Sequence, residues 1–223
     1  DYVFRTSFMG EVQGRAGAKL IGEMLGKKRV TMITLNNDFG ISLANGFKDK
    51  AGDFGIEIIS EYEYSIKDRE FGAIVSKIKS ENPDAIYASG YFFTAGPLVR
   101  QLRAAGINQP VVGQEGYDSQ KFIEIAGDAS EGVMITTSLD RDSSNPVTQS
   151  FIEGFSNKAG YPADMVGASG HTAILVLADA LSRAGNTDKA SLRDAIASTN
   201  LEASTGQISF NALGEVQKDV QVQ

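Results

Sequence analysis

Apolar positions along this chain fall into two alternating periods. Between residues 11 and 26, Ala16, Leu20, Ile21, Met24 and Leu25 recur at helical spacing, and Gly26 closes the run. Lys28 to Leu35 is instead β-branched and apolar through its middle, as a buried strand is, and Asn36 to Gly40 forms the loop at its carboxyl end. The alternation then repeats. A helix at about 41–52 presents Leu43, Ala44, Phe47 and Ala51, Ile56 to Tyr62 reads as a strand, and a helix over 68–81 carries Phe71, Ile74, Val75 and Ile78 inside. Asn82-Pro83-Asp84 stops that helix, because the residue before a proline is pushed out of the helical region.

Ala85 to Ala88 reads as a short apolar strand running into Ser89-Gly90 and the aromatic trio Tyr91, Phe92 and Phe93. Thr94 is suited to cap a helix from about Gly96 to Ala105, with Leu98, Val99, Leu102 and Ala105 buried and Arg100, Gln101 and Arg103 in water. Gly106 ends it, Pro110 to Gly113 starts the next strand, Asp118 to Ala126 is a short helix, and Gly132 to Ser138 is a fifth strand. Five strands alternating with helices predict an α/β fold with a Rossmann-like parallel sheet covered on both faces.

The alternation ends at Leu139, where Asp140 to Pro146 is rich in turn formers. Three helices are predicted in succession, at about 146–159, 165–184 and 188–198, punctuated by Gly160, Pro162, Gly185 and Asn186. Gly206 to Phe210 and Val216 to Val222 bracket Asn211 to Gly214 as a β-hairpin. No apolar run approaches the ~20 residues that span a bilayer, and Asp1 to Thr6 reads as the middle of a domain rather than a signal peptide.

Composition removes several functions. A net charge of −7 and a pI near 4.8 argue against nucleic acid as a partner, whose phosphates need clustered Lys and Arg. With no cysteine and one histidine, His171, thiolate and multi-histidine metal sites are excluded. No glycine-rich phosphate loop follows a strand, so no nucleotide cofactor is expected. Ser169-Gly170-His171 lies within a predicted helix, where residues one and two apart do not face each other, so it reads as helix surface or packing rather than as a catalytic pair.

What remains is the rim of the sheet. In open parallel sheets, ligands sit outside the carboxyl ends of the strands. Three residues stand there: Phe39 after the first strand, Tyr91 after the third and Glu115 after the fourth. Glu115 sits among Gly113, Gly116 and Tyr117, where glycines leave space around a carboxylate able to pair with a ligand ammonium; taken alone, it reads more readily as a loop Glu in water. Tyr91 offers a ring to a ligand or to an ammonium, or else is a core aromatic under a loop. Phe39 offers an apolar wall with the same alternative. The three together carry more than any one.

At this point the sequence resembles the type I periplasmic binding proteins, in particular the leucine/isoleucine/valine-binding proteins of ABC importers. The resemblance lies in Tyr2 to Thr6, Asn36 to Gly40 with Ala44, Phe71 to Lys79 with Asn82 to Ala85, and Ser89-Gly90-Tyr91. It continues through Arg100-Gln101, Arg103 and Gly106, then Gly113 and Glu115-Gly116, and Ile125 to Gly127 with Ala129 and Glu131-Gly132. In that family two lobes close on an amino acid. The resemblance implies that Glu115 holds the ligand ammonium and that Tyr91 closes over the ligand. Phe39 stands where the family usually has a tyrosine, so its phenol hydrogen bond is absent, and Val166 falls where an aromatic often lines the side-chain pocket.

The resemblance further implies that residues 1–138 are the second lobe, that helices over 139–205 normally pack on a first lobe missing here, and that 206–223 is a hairpin returning to the second lobe. The chain is then expected to be a fragment, with Ile174, Leu175, Leu177 and Leu181 leaving an apolar patch. The implied function is a solute-binding protein, not an enzyme, without cofactor or metal, periplasmic or extracellular. Its implied partners are a small amino-acid-like ligand, branched-chain in its side group, and a membrane ABC transporter permease. A ligand-sensing domain of a receptor or regulator is the alternative on the same fold.

Overall fold

A computed structural model describes residues 2–223, which divide into two compact units. One comprises residues 9–137 with Val222 and Gln223; the other comprises residues 2–8 and 138–221.

The first unit is built on strands β1 (Arg29–Leu35), β2 (Glu57–Tyr64), β3 (Ala85–Ala88), β4 (Val111–Gln114) and β5 (Val133–Thr137). Adjacent pairs β2/β1, β1/β3, β3/β4 and β4/β5 are parallel, in the order β2-β1-β3-β4-β5, and the short β9 (Gln221–Val222) adds at the β5 edge. Ile135 and Gln223 exchange two main-chain hydrogen bonds of 2.7 and 3.0 Å there. Strand order reverses between β1 and β3, which makes the carboxyl ends of these two strands the topological switch point of the sheet.

Helices α1 (Gly10–Lys19) and α2 (Asp38–Ala51) cover one face, where Ala18, Leu20, Ala44 and Phe47 pack on Val30, Met32, Ala85 and Tyr87. Helices α3 (Gly72–Glu81), α4 (Phe92–Ala104) and α5 (Gln120–Ala126) cover the other, where Val75, Ile78, Leu98 and Phe122 meet Ile33, Leu35, Ile86 and Val111. Successive strand residues thus serve opposite faces, as the pleat requires. The backbones of α1 and α2 touch at Gly14 and Gly46: a Cβ there would lie 2.1 Å from the Leu43 carbonyl and 2.2 Å from the Glu11 carbonyl. At the far edge, a bulge between Val30 and Thr31 shifts the β1/β2 register. Ser60 and Tyr62 there donate to the Glu81 carboxylate. Burial pushes that carboxyl up, but hydrogen bonds from Ser60, Tyr62 and Thr31 outweigh it and hold the group below its ordinary range.

The second unit holds α6 (Pro146–Ala159), α7 (Met165–Ala184) and α8 (Lys189–Ala197) with a small sheet β6-β7-β8 of Leu201–Ala203, Gly206–Phe210 and Val216–Gln217. Each helix has the expected cap: Asn145 Oδ1 accepts from Val147 N–H at 2.8 Å, Asp164 Oδ1 from Gly167 N–H at 2.8 Å, and Asp188 from Ser191 N–H at 3.0 Å. His171 packs its ring 5.0 Å from Phe151 and bonds Ser204 Oγ at 3.1 Å, a role in holding the β6/β7 turn against α7.

Several expectations change. The strands of the 206–217 hairpin belong with 138–221, because β7 pairs with β6 and buries Ile208 beside Val176; only Val222 and Gln223 group with the large sheet. Helices α2 and α4 begin earlier than the apolar periodicity suggests, at Asp38 and Phe92, and α3 begins later, at Gly72. Gln101 is not simply wet: its Oε1 accepts from Phe71 N–H at 2.7 Å and its Nε2 donates to the Arg69 carbonyl at 2.8 Å. By length and composition α7 is apolar enough to cross a membrane. Its stripe is one-sided, with Val166, Ile174 and Leu177 at 69%, 65% and 40% exposure.

Candidate functional site

At the end of β1, the Asn37 side chain accepts the Gly40 N–H at 2.8 Å and so starts α2 immediately after the strand. A Cβ on Gly40 would lie 2.0 Å from the Leu35 carbonyl, so glycine alone permits this tight entry. Phe39 consequently projects from the first helical turn rather than from a loop, and is half-buried.

At the end of β3, Ser89 Oγ accepts the Leu35 N–H at 2.9 Å, tying the two strand ends together at the switch point. Tyr91 is the N-cap of α4. Thr94 Oγ1 accepts from the Tyr91 N–H at 3.2 Å and donates to its carbonyl at 2.9 Å, which fixes the turn. Below it lies Tyr64, whose hydroxyl donates to the Ser89 carbonyl at 2.7 Å; burial pushes this phenol up to about 12. With the two loops held, the rings of Phe39 and Tyr91 stack with centroids 5.3 Å apart and planes 17° from parallel.

At the end of β4, the chain turns through a single 3-10 turn, Glu115–Tyr117, with the Gln114 side chain accepting the Gly116 N–H at 2.9 Å. A Cβ on Gly116 would lie 2.2 Å from the Gly90 carbonyl. The turn bearing Glu115 therefore touches, backbone to backbone, the turn bearing Tyr91. The glycines act here by permitting close packing, Gly113 against the Tyr117 ring and Gly116 against Gly90, rather than by clearing space around the carboxylate. Gln13 of α1, completely buried, accepts the Glu115 N–H at 3.3 Å.

Phe39, Tyr91 and Glu115 are thus assembled on one rim of one unit. Val166 stands in the first turn of α7, in the other unit, and is 69% exposed. Sequence reading missed Gln13, whose signal was a lone amide within the small-residue stripe Gly10, Gly14, Gly17 of α1. It also passed over Arg69, whose guanidinium sits 5.1 Å over the Phe93 ring. Among the described residues, no cluster of His, Cys, Asp or Glu is arranged to hold a metal ion.

Phe39 and Tyr91 stand at the switch point of the parallel sheet, and the Glu115 turn, after β4, packs on the turn that bears Tyr91. The profile of a family described as periplasmic binding protein matches residues 1–222. The chain belongs to that family. Among relatives of this periplasmic binding protein is the leucine-, isoleucine-, valine-, threonine- and alanine-binding protein of Pseudomonas aeruginosa, 28% identical over 96% of this chain and 57% of its own length. A leucine binding protein from Thermotoga maritima superposes with a TM-score of 0.91 at 34% identity, over 99% of this chain and 63% of that one. A branched-chain amino acid transporter substrate binding protein from Streptococcus pneumoniae, solved with isoleucine, has the same fold, with a TM-score of 0.89 at 24% identity over 98% of this chain and 63% of that one. The chain spans a little over half the length of the curated relative from P. aeruginosa.

Proposed function

We propose that this periplasmic binding protein captures a small amino-acid ligand, branched-chain in its side group, and delivers it to the membrane permease of an ABC importer. The observation that carries the reading is the joined rim, where the Glu115 turn packs on the Gly90–Tyr91 turn and Tyr91 stacks on Phe39. Glu115 supplies a carboxylate for the α-ammonium group. Phe39 supplies a ring face and no hydroxyl, and Tyr91, stacked between Phe39 and Phe93, supplies its ring edge and hydroxyl. The names of the relatives support leucine, isoleucine or valine as the ligand. The work is capture and release, not catalysis, in the periplasm or outside the cell.

In this reading the unit 9–137 is one lobe of a two-lobed protein, and closure of a second lobe over the rim completes the site. The exposed apolar stripe of α7 then packs against the remainder of the full-length polypeptide.

The test is calorimetric titration and thermal shift of the full-length protein with L-leucine, L-isoleucine and L-valine. Binding raises the melting temperature, and the shift grows with the logarithm of ligand concentration above Kd. Glu115→Gln is expected to weaken binding by at least about tenfold, since truncating one partner of a desolvated charge pair costs roughly 2 kcal/mol or more. Full affinity in Glu115→Gln would remove the proposed role of the carboxylate.

A further inference from the structure

Beyond the Phe39–Tyr91 pair, the ring stack continues. Phe93, two residues into α4, stacks on Tyr91 with centroids 5.6 Å apart and planes 17° from parallel, and is held edge-on by Phe92 at 5.2 Å and 89°. Over Phe93, at 5.1 Å, lies the guanidinium of Arg69 from the loop between β2 and α3. That guanidinium donates to the carbonyls of Ile66 at 2.9 Å and Asp68 at 2.7 Å. The Arg69 carbonyl in turn accepts from Gln101 of α4 at 2.8 Å, so the loop is latched to the helix that carries Phe93.

The three strand-end loops after β1, β2 and β3 are therefore joined by one continuous stack: Phe39, Tyr91, Phe93, Arg69. A tyrosine at a helix N-cap, half-buried and beside glycine, has rotamer freedom that a ligand would otherwise have to remove on binding. Near-parallel rings alongside Tyr91 remove it beforehand, and the guanidinium, drawn to the ring face, holds Phe93 in turn. We propose that Phe93, braced by Arg69, is a positioning residue that presets the Tyr91 ring for the ligand. It touches no ligand itself and acts through Tyr91. The proposal rests on the reading of Tyr91 as a ligand contact, and part of its test is independent of that reading.

The experiment uses the full-length protein with L-leucine as the probe. Phe93→Leu keeps apolar bulk and removes the ring. Leucine affinity is expected to fall by about two- to tenfold, the worth of one aromatic pair, chiefly through faster dissociation. Tyr91→Leu combined with Phe93→Leu is expected to bind no more weakly than Tyr91→Leu alone, because the second residue acts only through the first. Without ligand, the Tyr91 ring protons are expected to resonate upfield in the wild type and to move downfield in Phe93→Leu, with a smaller movement in Arg69→Met and recovery in Arg69→Lys. Additive losses in the double variant, or Tyr91 resonances unmoved by Phe93→Leu, overturn the proposal. If wild-type protein does not bind leucine, the ligand assignment fails, and the ring resonances still decide whether Phe93 holds Tyr91.

Discussion

Gln13 and Glu115, far apart in sequence, meet where α1 crosses the end of β4, and the amide oxygen of the first accepts the main-chain N–H of the second at 3.3 Å. Gln13 is completely buried and its Nε2 has no hydrogen-bond partner among the described residues. A buried amide left half-satisfied costs about 1–3 kcal/mol, whereas one hydrogen bond contributes only about 0.5–1.5. Replacing the amide with a residue of similar length relieves the unpartnered Nε2 but takes this acceptor from the Glu115 N–H, so two effects of similar size oppose each other. Gln13→Met is expected to change unfolding stability by less than about 1 kcal/mol in urea titration. Gln13→Glu, which places a carboxylate at a completely buried position with the Glu115 N–H as its donor, is expected to destabilise by about 3 kcal/mol or more at neutral pH.

Contact between two turns makes Gly116 a sensitive position. An added methyl would lie 2.2 Å from the Gly90 carbonyl and 2.9 Å from Gln114 Oε1, and the first neighbour is backbone. Gly116→Ala must push the Glu115 turn away from the Tyr91 turn. Overpacking of this kind costs about 1–3 kcal/mol of stability. Leucine affinity is expected to fall as well, since the two proposed contacts separate. Retention of both wild-type melting temperature and affinity would mean that the turns are not in contact.

Acid sensitivity is expected at the start of β1. The Asp84 carboxylate accepts from the N–H groups of Arg29 at 2.9 Å and Lys28 at 3.2 Å. The Arg29 N–H does most to hold this carboxyl below its ordinary range, with burial opposing and Lys28 assisting. Because the folded value is depressed, its stabilising contribution is complete above the unfolded value of about 3.9 and is lost as pH falls through the folded value. Asp84→Asn is expected to melt below the wild type at pH 7, with the gap closing as the pH is lowered through that window. A gap independent of pH would assign the loss to geometry rather than ionisation.

The alternation of buried strands and amphipathic helices made the parallel sheet legible, because both periods are local consequences of covering a sheet on two faces. The starts of α2 and α4 were not. Asn37 and Tyr91 begin those helices within polar and aromatic stretches that carry no apolar periodicity. The strand β6 (Leu201–Ala203) escaped notice because three residues set no period, and its pairing with β7 is antiparallel at close range. That Phe39, Tyr91 and Glu115 follow strands was legible. Their mutual contacts were not, since strand order, and hence which loops adjoin, is set by tertiary packing. Gln13 and Arg69 reach the site through the main chain of Glu115 and the ring of Phe93, links that leave no pattern in sequence.

The last expectation concerns Val166, the one candidate outside the sheet unit. Its side chain is 69% exposed in the first turn of α7, whose cap is supplied by Asp164 and not by Val166 itself. Substitution there removes little buried area, so Val166→Ser is expected to alter stability by less than about 0.5 kcal/mol. If the residue faces the ligand side chain in the full-length protein, discrimination changes where stability does not. Each methylene of a ligand in an apolar pocket is worth about 1–3 kcal/mol, and a hydroxyl in place of a methyl erodes that preference. The ratio of leucine to alanine affinity, measured by calorimetry for wild type and Val166→Ser, should narrow several-fold, with leucine losing most. An unchanged ratio at unchanged stability would place Val166 outside the pocket and leave the apolar stripe of α7 with a packing role alone.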